Sequence, residues 1–473
     1  MIPLVVDLDG TLIFSDSLFE GCVQLWRRQP LYFALFPAWV MRGRVAAKRH
    51  VADHVELDAT LLPYNESLVA HLREQRASRK IVLCSAADKR FADAVARHLQ
   101  LFDDVIATDS HVNLKSNNKA NELVARFGAR GFDYIGNDVA DLAVFADARH
   151  AYAVNASRAL TRQLHRVSNL QPFHEAPAAS SLMAHWRALR PTQWVKNLLV
   201  YVPLLAVFKA TQLPSFLPAT LAFIAFSLVA SSVYLTNDLA DLSADRLHAR
   251  KRLRPLAAGT VPIKHALFMI PALLLAGFAI SVFVTPLFVV ILGLYAVVTA
   301  LYSFWLKRLP LLDTLVLAGL YTLRILAGAA AIFVVPSVWL LSFSMFLFLS
   351  LALAKRHSEL IQMEPNTSGA IPGREYRSGD LQILISQGSA SGYSAVLVLA
   401  LYINSETVRE QYRHPEIIWL ICPLVLYWIN KLWLNSQRRE IYDEPIVWAI
   451  RNRVSRGIAI VSVALLLLAR WLP

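Results

Sequence analysis

The sequence predicts an N-terminal α/β domain over residues 1–167, fused to an all-α polytopic membrane domain of nine transmembrane helices over residues 186–473. In the first part, short apolar runs alternate with helical patterns, as in domains built on a parallel sheet. In the second part, apolar stretches of about 20 residues recur, and each is long enough to cross a bilayer. The composition agrees, because 56% of the residues are hydrophobic and the mean hydropathy is +0.44.

Three predicted strands of the N-terminal domain end in polar side chains. The strands are 2–6, 80–84 and 132–135, and the side chains that follow them are Asp7, Asp9, Ser85 and Asp141. Because ligands of such sheets bind at the carboxyl ends of the strands, we expect these groups to converge. Asp7 and Asp9 are two residues apart and so face the same side of an extended segment. One can act as a nucleophile while the other moves a proton to or from the leaving group.

The Asp7-Leu-Asp9-Gly-Thr run, with a later Ser, Lys and Asp, resembles the haloacid dehalogenase (HAD) phosphatase superfamily. The resemblance implies a Rossmann-like sheet with a small helical cap, and an aspartyl phosphate formed on Asp7. Asp9 would be the general acid and base, and Ser85 would bind the phosphoryl group. Lys119 would neutralise that group, and the helical run after Lys119 favours it over Lys115.

The same resemblance implies a Mg²⁺ ion held by Asp7, Asp9 and Asp141. This chain departs from the family at Gly136-Asn137, where the family usually has Gly-Asp. One metal carboxylate is therefore missing unless Asp138 replaces it. A degenerate domain kept for packing or regulation is the alternative, and the intact pair of aspartates argues against it.

The cap is predicted over residues 16–76. Within it, residues 30–41 are aromatic and apolar but too short to span a bilayer, and arginines flank them. Such a segment suits the membrane interface, and a buried cap helix is the equal alternative. Residues 168–185 are predicted as the linker, because the run 168–181 is rich in Pro, Ser and Ala.

Nine apolar stretches define the membrane domain. They are 196–212, 217–237, 265–285, 286–305, 311–332, 336–354, 385–404, 415–434 and 456–472. The loops after the second, fourth, sixth and eighth stretches hold most of the Lys and Arg residues. The positive-inside rule therefore places these loops and the N-terminal domain in the cytoplasm of a bacterial inner-membrane protein, with the C-terminus outside.

An acidic run, residues 237–245, follows the second stretch, and carboxylates are costly to place at the mouth of a transmembrane helix. If the helix continues, Asn237, Asp241 and Asp245 share one face, with Asp238 beside them. Several acidic oxygens suit Mg²⁺, which readily adds phosphate oxygens to its shell. Basic residues that include Arg246 and Arg254 follow at once. The loop therefore predicts a diphosphate site.

Further candidate anion ligands lie at other predicted helix ends on the same side. They are Lys196, Lys307, Arg324 and Lys355, and Tyr302, Arg356 and Glu359 are further candidates for substrate binding. Lys and Arg near a bilayer can also snorkel to its surface, so some of them only mark topology. The net charge of +13 mostly reflects this topology and phosphate handling, and no aromatic-basic motif supports nucleic-acid binding. Three cysteines without metal-ligand spacing predict no disulfide framework.

The pattern N-D-x-x-D-x-x-x-D, followed by R-P-L-x-x-G, resembles the UbiA superfamily of intramembrane prenyltransferases. The resemblance runs from about residue 189 to the C-terminus. It implies that Asn237, Asp238, Asp241 and Asp245 bind Mg²⁺ and a diphosphate leaving group. Members with aromatic acceptors have a second acidic motif where this chain reads Lys-Arg-His-Ser-Glu (355–359), a change that favours direct phosphate contacts.

The motifs are most similar to the decaprenyl-phosphate phosphoribosyltransferase branch. This resemblance implies a bifunctional enzyme that moves 5-phosphoribose from phosphoribosyl diphosphate to a polyprenyl phosphate in the membrane lipid, and then removes the 5-phosphate with its N-terminal domain. One alternative is a UbiA prenyltransferase that transfers a polyprenyl group from its diphosphate to an aromatic or quinone-precursor acceptor. A non-catalytic membrane scaffold is the other. Prenyl chain length, the substrate of the phosphatase-like domain and the oligomeric state are not predicted.

Overall fold

The computed structural model describes residues 2–109, 114–156, 158–163, 167, 169–173, 182–208, 212–362, 374–441 and 445–472. The chain forms two compact units. The first unit comprises Met1–Leu189 and Tyr234–Ile270, and the second comprises Arg190–Val233 and Pro271–Pro473. The acidic run therefore groups with the N-terminal domain, although it follows a membrane helix.

A six-stranded parallel sheet forms the centre of the N-terminal domain, in the order β3-β2-β1-β4-β5-β6. The strands are β1 (Leu4–Val6), β2 (Ile81–Asp88), β3 (Asp104–Thr108), β4 (Asp133–Gly136), β5 (Ala151–Ala153) and β6 (Leu170–Gln171). Strands β1 and β4 are fully buried, as expected when helices cover both faces of a parallel sheet. The predicted α/β fold is confirmed, and the carboxyl ends of neighbouring strands β1 and β4 lie together.

Ten α-helices connect and cover the strands. They are α1 (Ser17–Arg28), α2 (Pro30–Phe33), α3 (Phe36–Met41), α4 (Arg44–His54), α5 (Glu66–Gln75), α6 (Lys89–Leu99), α7 (Asn117–Phe127), α8 (Leu142–Asp147), α9 (Arg158–Thr161) and α10 (Leu182–Ala188). In the part of the domain that the structure describes, the 3-10 helices Ala59–Leu61 and Val139–Asp141 add to them. Helix α1 begins where Asp16 accepts hydrogen bonds from the N–H groups of Leu18 and Phe19, which would otherwise lack helical partners.

The segment 30–41 forms the two short helices α2 and α3. Leu31 and Met41 are 85% and 88% exposed, whereas Trp39 is buried against the core. A buried cap helix would hide its large apolar side chains, so this exposure favours the membrane-interface alternative.

The domain boundary differs from the predicted one. Strand β6 lies within the predicted linker and pairs with β5, so the sheet continues beyond residue 167. Helix α10 also begins inside that predicted linker. Residues 174–181, the rest of the Pro- and Ser-rich run, lie outside the described residues.

Eight helices in the described ranges are long and apolar enough to span a membrane. The spans are α12 (Leu213–Ala240), α14 (Ile263–Ser281), α15 (Pro286–Phe304), α16 (Leu312–Ala331), α17 (Val338–Ile361), Ser378–Ile403 with α18 (Leu381–Ile403), Pro415–Gln437 with α20 (Ile421–Gln437), and α22 (Arg453–Trp471). Shorter elements are α11 (Val202–Ala206), α13 (Leu242–Leu247), α19 (Glu406–Gln411), α21 (Pro445–Arg451) and the 3-10 helices Pro191–Tyr201, Lys251–Leu253 and Leu306–Arg308.

The prediction of nine long transmembrane helices is not confirmed. The stretch predicted as the first span begins inside the 3-10 helix Pro191–Tyr201 and continues as the five-residue helix α11. Pro191 and Pro203 lie in the first turns of these two elements, where a backbone N–H has no helical acceptor and its absence is tolerated. Each proline therefore favours the beginning of a separate helical element. Hydropathy alone does not detect such an interruption.

Helix α15 shows the apolar exposure expected of a lipid-facing helix. Leu287, Val290, Leu294 and Val297 are 50% to 65% exposed and recur at helical spacing. On the opposite face Phe288, Leu292 and Tyr295 are buried. A soluble protein rarely exposes such a continuous apolar stripe, so the face is suited to acyl chains.

Candidate functional site

A buried network of four side chains lies at the carboxyl ends of β1 and β4. The Lys119 ammonium, from α7, donates to Asp7 Oδ1 at 2.7 Å and to the Tyr134 hydroxyl at 2.8 Å. That hydroxyl donates to Asp141 Oδ1 at 2.8 Å, and Lys119 Nζ also lies 3.5 Å from this oxygen. Asp7, Lys119 and Asp141 are each less than a tenth exposed. The sheet therefore brings together three of the predicted site residues, and the network also includes Tyr134, which the sequence analysis did not select.

The two carboxyl groups of the Asp-x-Asp pair have different environments. Asp9 accepts hydrogen bonds from the backbone N–H of Ser17 at 2.8 Å and from its hydroxyl at 3.2 Å. Burial, followed by the charge of Asp16, raises the pKa of Asp9 to about 8. Burial raises the pKa of Asp7 only to about 6, because the Lys119 charge opposes it. A carboxyl that keeps its proton at neutral pH suits general acid chemistry, and a more readily ionised one suits a nucleophile.

Ser85 lies within β2, which extends past the predicted strand end to Asp88. The Ser85 hydroxyl is fully buried and accepts the N–H of Ala87 at 3.0 Å. A register shift against β3 occurs between Ser85 and Asp88. The hydroxyl therefore stabilises this irregular strand end, and its assignment to phosphoryl binding remains a prediction.

Asn137 lies against the loop that carries the two aspartates. A Cβ atom on Gly10 would come within 2.1 Å of Asn137 Nδ2, and Gly10 has a φ of +76°, so this position requires glycine. Asp138, the possible substitute for the missing metal carboxylate, is exposed, and its side chain accepts the N–H of Val139 at 2.7 Å. Asp141 Oδ2 accepts the N–H groups of Asn137 at 3.2 Å and Asp138 at 3.1 Å.

These contacts bear on the Mg²⁺ ion implied for this domain. Among the described residues, no group of three or more His, Cys, Asp and Glu side chains is placed to hold a metal ion. Asp141 is engaged by Tyr134 and by the turn that follows β4. The carboxylates of Asp7 and Asp9 are also engaged, by Lys119 and by Ser17, so the assignment of Asp7, Asp9 and Asp141 as Mg²⁺ ligands remains a prediction.

The acidic run continues the helical geometry of α12. The N–H of Asp241 binds the carbonyl of Asn237 at 2.9 Å, and the N–H of Asp245 binds the carbonyl of Asp241 at 2.8 Å. Asp238 and Asp245 are seven residues apart and so lie on one face, where both are buried. Arg254 Nη1 contacts Asp245 at 2.5 Å and Asp238 at 3.3 Å. The two buried carboxylates are thus paired with one arginine, and the role of the acidic run as Mg²⁺ ligand remains a prediction.

Arg246 follows the last aspartate and binds within the first unit. Its Nη1 and Nη2 atoms donate to the two oxygens of Glu20, at 3.0 and 2.6 Å, and its Nε donates to the carbonyl of Ala257 at 3.2 Å. The residue was predicted to bind substrate, and this prediction is not tested. The geometry shows a bidentate ion pair with α1 of the N-terminal domain.

A second polar network lies within the second unit, around Asp313. Arg356 is fully buried and donates to Asp313 at 2.6 Å, to Glu359 at 2.6 Å and to the Tyr302 hydroxyl at 2.8 Å. Arg374 Nη1 reaches Asp313 at 3.1 Å and the same hydroxyl at 3.3 Å. Arg356 thus joins two other predicted ligands, Tyr302 and Glu359, to Asp313, an acceptor that was not predicted. The sequence offers one indication of this role, because Asp313 follows the basic Lys307-Arg308 pair closely along the chain.

Arg324 and Lys196 form a basic group in the same unit. Arg324 Nε donates to Asn197 Oδ1 at 3.0 Å, and its guanidinium carbon lies 5.0 Å from the ring centre of Tyr295. Lys196 is buried in the 3-10 helix that precedes α11. Burial, and then the positive charges of Lys355 and Arg324, hold the pKa of Lys196 well below its usual range. An anion bound there would relieve the repulsion.

Lys307 lies in the short 3-10 helix Leu306–Arg308, at the end of the loop that follows α15. It is partly exposed, as is Lys355 near the end of α17. Lys307 lies between two membrane helices, as predicted, whereas α17 continues past Lys355 to Ile361, beyond the predicted end of this span at residue 354. The phosphate-binding roles of both residues remain predictions.

Comparison with known proteins identifies the second part of the chain. The UbiA prenyltransferase family matches residues 198–440. The protein belongs to this family. An uncharacterized protein of Sinorhizobium fredii is 36% identical over 96% of this chain and 88% of its own length. A decaprenyl-phosphate phosphoribosyltransferase of Mycobacterium tuberculosis is 34% identical over 61% of this chain and 94% of its own length.

Solved structures are similar to each part of this UbiA-family chain. A UbiA homolog from Archaeoglobus fulgidus bound to GPP and Mg²⁺ has a TM-score of 0.45 and 16% identity, and the match covers 60% of this chain and 97% of that one. A HAD family hydrolase from Salmonella enterica serovar Typhi has a TM-score of 0.27 and 15% identity, with coverage of 37% and 68%. The assignment to the UbiA family rests on the match over residues 198–440.

Proposed function

We propose that this protein is a bifunctional membrane enzyme. Its transferase part moves 5-phosphoribose from phosphoribosyl diphosphate to a polyprenyl phosphate, and its N-terminal domain hydrolyses a phosphomonoester, for which the 5-phosphate of that product is the best candidate. The similarity to the M. tuberculosis phosphoribosyltransferase, which extends over nearly all of that relative, supports the choice of donor and acceptor. Both reactions would take place on the cytoplasmic side of a bacterial inner membrane.

In the transfer step, a phosphate oxygen of the lipid attacks C1 of the ribose while the bond from C1 to the diphosphate oxygen breaks. The diphosphate leaves with the electron pair of that bond. Asp238, Asp241 and Asp245, with Asn237, would hold Mg²⁺. The ion, when bound, neutralises charge that develops on the departing diphosphate. Arg254, which already contacts two of these carboxylates, would offer a cation to the same anion.

The observation that carries the choice of a phosphate-rich substrate is the basic group around Lys196. This ammonium is buried and lies in the field of Lys355, Arg324 and Arg190. The combined positive charge of these side chains favours the binding of an anion near them. A polyprenyl phosphate or a phosphoribosyl group would supply that anion, and the similarity to the M. tuberculosis phosphoribosyltransferase favours these substrates over a prenyl diphosphate.

In the phosphatase step, Asp7 would attack the phosphorus and form an aspartyl phosphate. Asp9 would give its proton to the departing sugar oxygen, and then take one from the water that cleaves the intermediate. Lys119, which contacts Asp7, would balance the charge of the phosphoryl group. Asn137 leaves the Mg²⁺ site of this domain with a reduced charge, so we expect weaker metal binding here than at the acidic run.

The test is substrate consumption by the purified protein in detergent with Mg²⁺. One reaction contains phosphoribosyl diphosphate and a polyprenyl phosphate, and the other contains a prenyl diphosphate and an aromatic acid. Lipid mass spectrometry identifies the products. We expect a phosphoribosylated lipid in the first reaction and no prenylated acid in the second. Product formation in the second reaction alone would contradict the proposal and would indicate a prenyltransferase with an aromatic acceptor.

A further inference from the structure

The segment 241–259 follows α12 and includes the short helix α13; we call it the loop after α12. It contacts α1 of the N-terminal domain through a buried ion pair. Glu20 of α1 is 2% exposed, and its two carboxylate oxygens bind the two terminal nitrogens of Arg246 at 2.6 and 3.0 Å. Glu20 Oε1 also accepts the hydroxyl of Ser15 at 2.6 Å. A bidentate, charge-assisted pair of this kind fixes the direction of both side chains.

Arg246 is the residue directly after Asp245 of the acidic run. Its Nε–H binds the carbonyl of Ala257, so one guanidinium joins the two ends of the segment 245–258 as well as α1. A second close approach lies at Gly259, where a Cβ atom would come within 2.7 Å of Phe14 Cβ and φ is +71°. The loop is therefore held against residues 14–20 at two places.

Residues 14–20 also belong to the surroundings of the phosphatase-like site. The N–H and hydroxyl of Ser17, the first residue of α1, bind the Asp9 carboxylate. Glu20 follows Ser17 by nearly one helical turn. A single turn of helix thus connects Asp9 at one end with Arg246 at the other, and the loop cannot shift without breaking a buried charge pair or moving this turn.

We infer that Glu20 is a positioning residue for the acidic run, so that the N-terminal domain is a structural part of the transferase site and not only a second enzyme. Glu20 acts through Arg246, which orients the backbone next to Asp245. Asp245 and Asp238 are then presented together to their shared cation. Groups that orient metal ligands typically change metal affinity about 10- to 100-fold when they are removed.

The first measurement is hydrogen–deuterium exchange of the full-length protein without added metal. Glu20→Gln keeps the shape of the side chain but removes its charge, so we expect exchange in peptides from 241–258 to rise about tenfold. Ser15→Ala removes one hydrogen bond and keeps the charge, and a smaller rise is expected. Asp133→Asn is the matched control, because Asp133 is also buried and pairs with Arg79 and Arg149 at the far end of β4.

The second measurement is the Mg²⁺ concentration that gives half-maximal transfer, and this arm alone rests on the proposed function. Glu20→Gln should raise it about tenfold, whereas Asp133→Asn should lower the yield of active protein without moving it. Unchanged exchange in 241–258 for Glu20→Gln, or an equal rise in Asp133→Asn, overturns the inference. If the wild type does not use phosphoribosyl diphosphate, the proposed donor is wrong. The positioning role of Glu20 is then judged from the hydrogen–deuterium exchange result alone.

Discussion

Replacing Asp7 by Asn is the sharpest test of the proposed link between the two activities. The substitution keeps the size of the side chain and removes the nucleophilic carboxylate. Lys119 would not become an isolated buried cation, because it keeps Tyr134 at 2.8 Å and Asp141 at 3.5 Å. We therefore expect the variant to fold and to retain transfer.

The expected loss of phosphatase activity is large. An amide is not a nucleophile under these conditions, and removal of a catalytic nucleophile typically costs about 10⁴- to 10⁶-fold in rate. The free energy of unfolding should change little by comparison. Asp7 is held with a raised pKa, to about 6, because burial outweighs the attraction of Lys119, so neutralising it removes a cost as well as an ion pair.

The assay is lipid mass spectrometry on wild type and Asp7→Asn supplied with polyprenyl phosphate, phosphoribosyl diphosphate and Mg²⁺. The wild type should yield mainly the dephosphorylated lipid, and the variant should accumulate the 5-phosphorylated one. Equal ratios of the two lipids in both proteins would refute the reasoning, since the domain would then act on some other substrate. Loss of transfer in Asp7→Asn would also contradict it.

Three further predictions concern the membrane domain and its surroundings. Asp245→Ala should lower transfer on the order of 10³-fold, measured as product formation at saturating Mg²⁺, while folding yield stays normal; retained transfer would exclude the acidic run as the metal site. Asp313→Asn should lower the free energy of unfolding by about 3 kcal/mol, because it removes the buried negative charge that Arg356 and Arg374 share, and thermal inactivation in detergent should show it. A spin label at Met41 should be accessible to oxygen dissolved in lipid, whereas one at the exposed Arg73 of α5 should not; equal accessibility would contradict an interfacial segment.

Much of the phosphatase-like site could be predicted from the sequence, because strand ends in a parallel sheet meet by geometry. Asp7, Lys119 and Asp141 come together for this reason, although 112 residues separate the first two. Tyr134 was not predicted, since an inward aromatic side chain within a strand reads as core. Asp141 is predicted as a metal ligand, and in the structure it accepts a hydrogen bond from the Tyr134 hydroxyl. The sequence does not show this contact, because it depends on side-chain packing.

The membrane part was predicted less completely. Helical periodicity placed Asn237, Asp241 and Asp245 on one face, whereas the pair that shares Arg254 is Asp238 and Asp245, at seven residues. The partner of Arg246 could not be predicted, because Glu20 lies 226 residues away and a single glutamate on a helix carries no signal of its contact. Hydropathy located the apolar stretches but did not register the interruption of the first one, which depends on local proline geometry.

Strand β6 determines at which residue a fragment of the N-terminal domain can end without disrupting the sheet. A fragment that ends at residue 167 would lose Leu170 and Gln171 and leave β5 as an open edge, a surface on which strands from other molecules can pair. A fragment that ends at residue 173 would keep the sheet but would lack Arg246, so Glu20 would lose its ion-pair partner. A fragment that ends at residue 167 should therefore give aggregation-prone material, and one that ends at residue 173 should be less prone to aggregate.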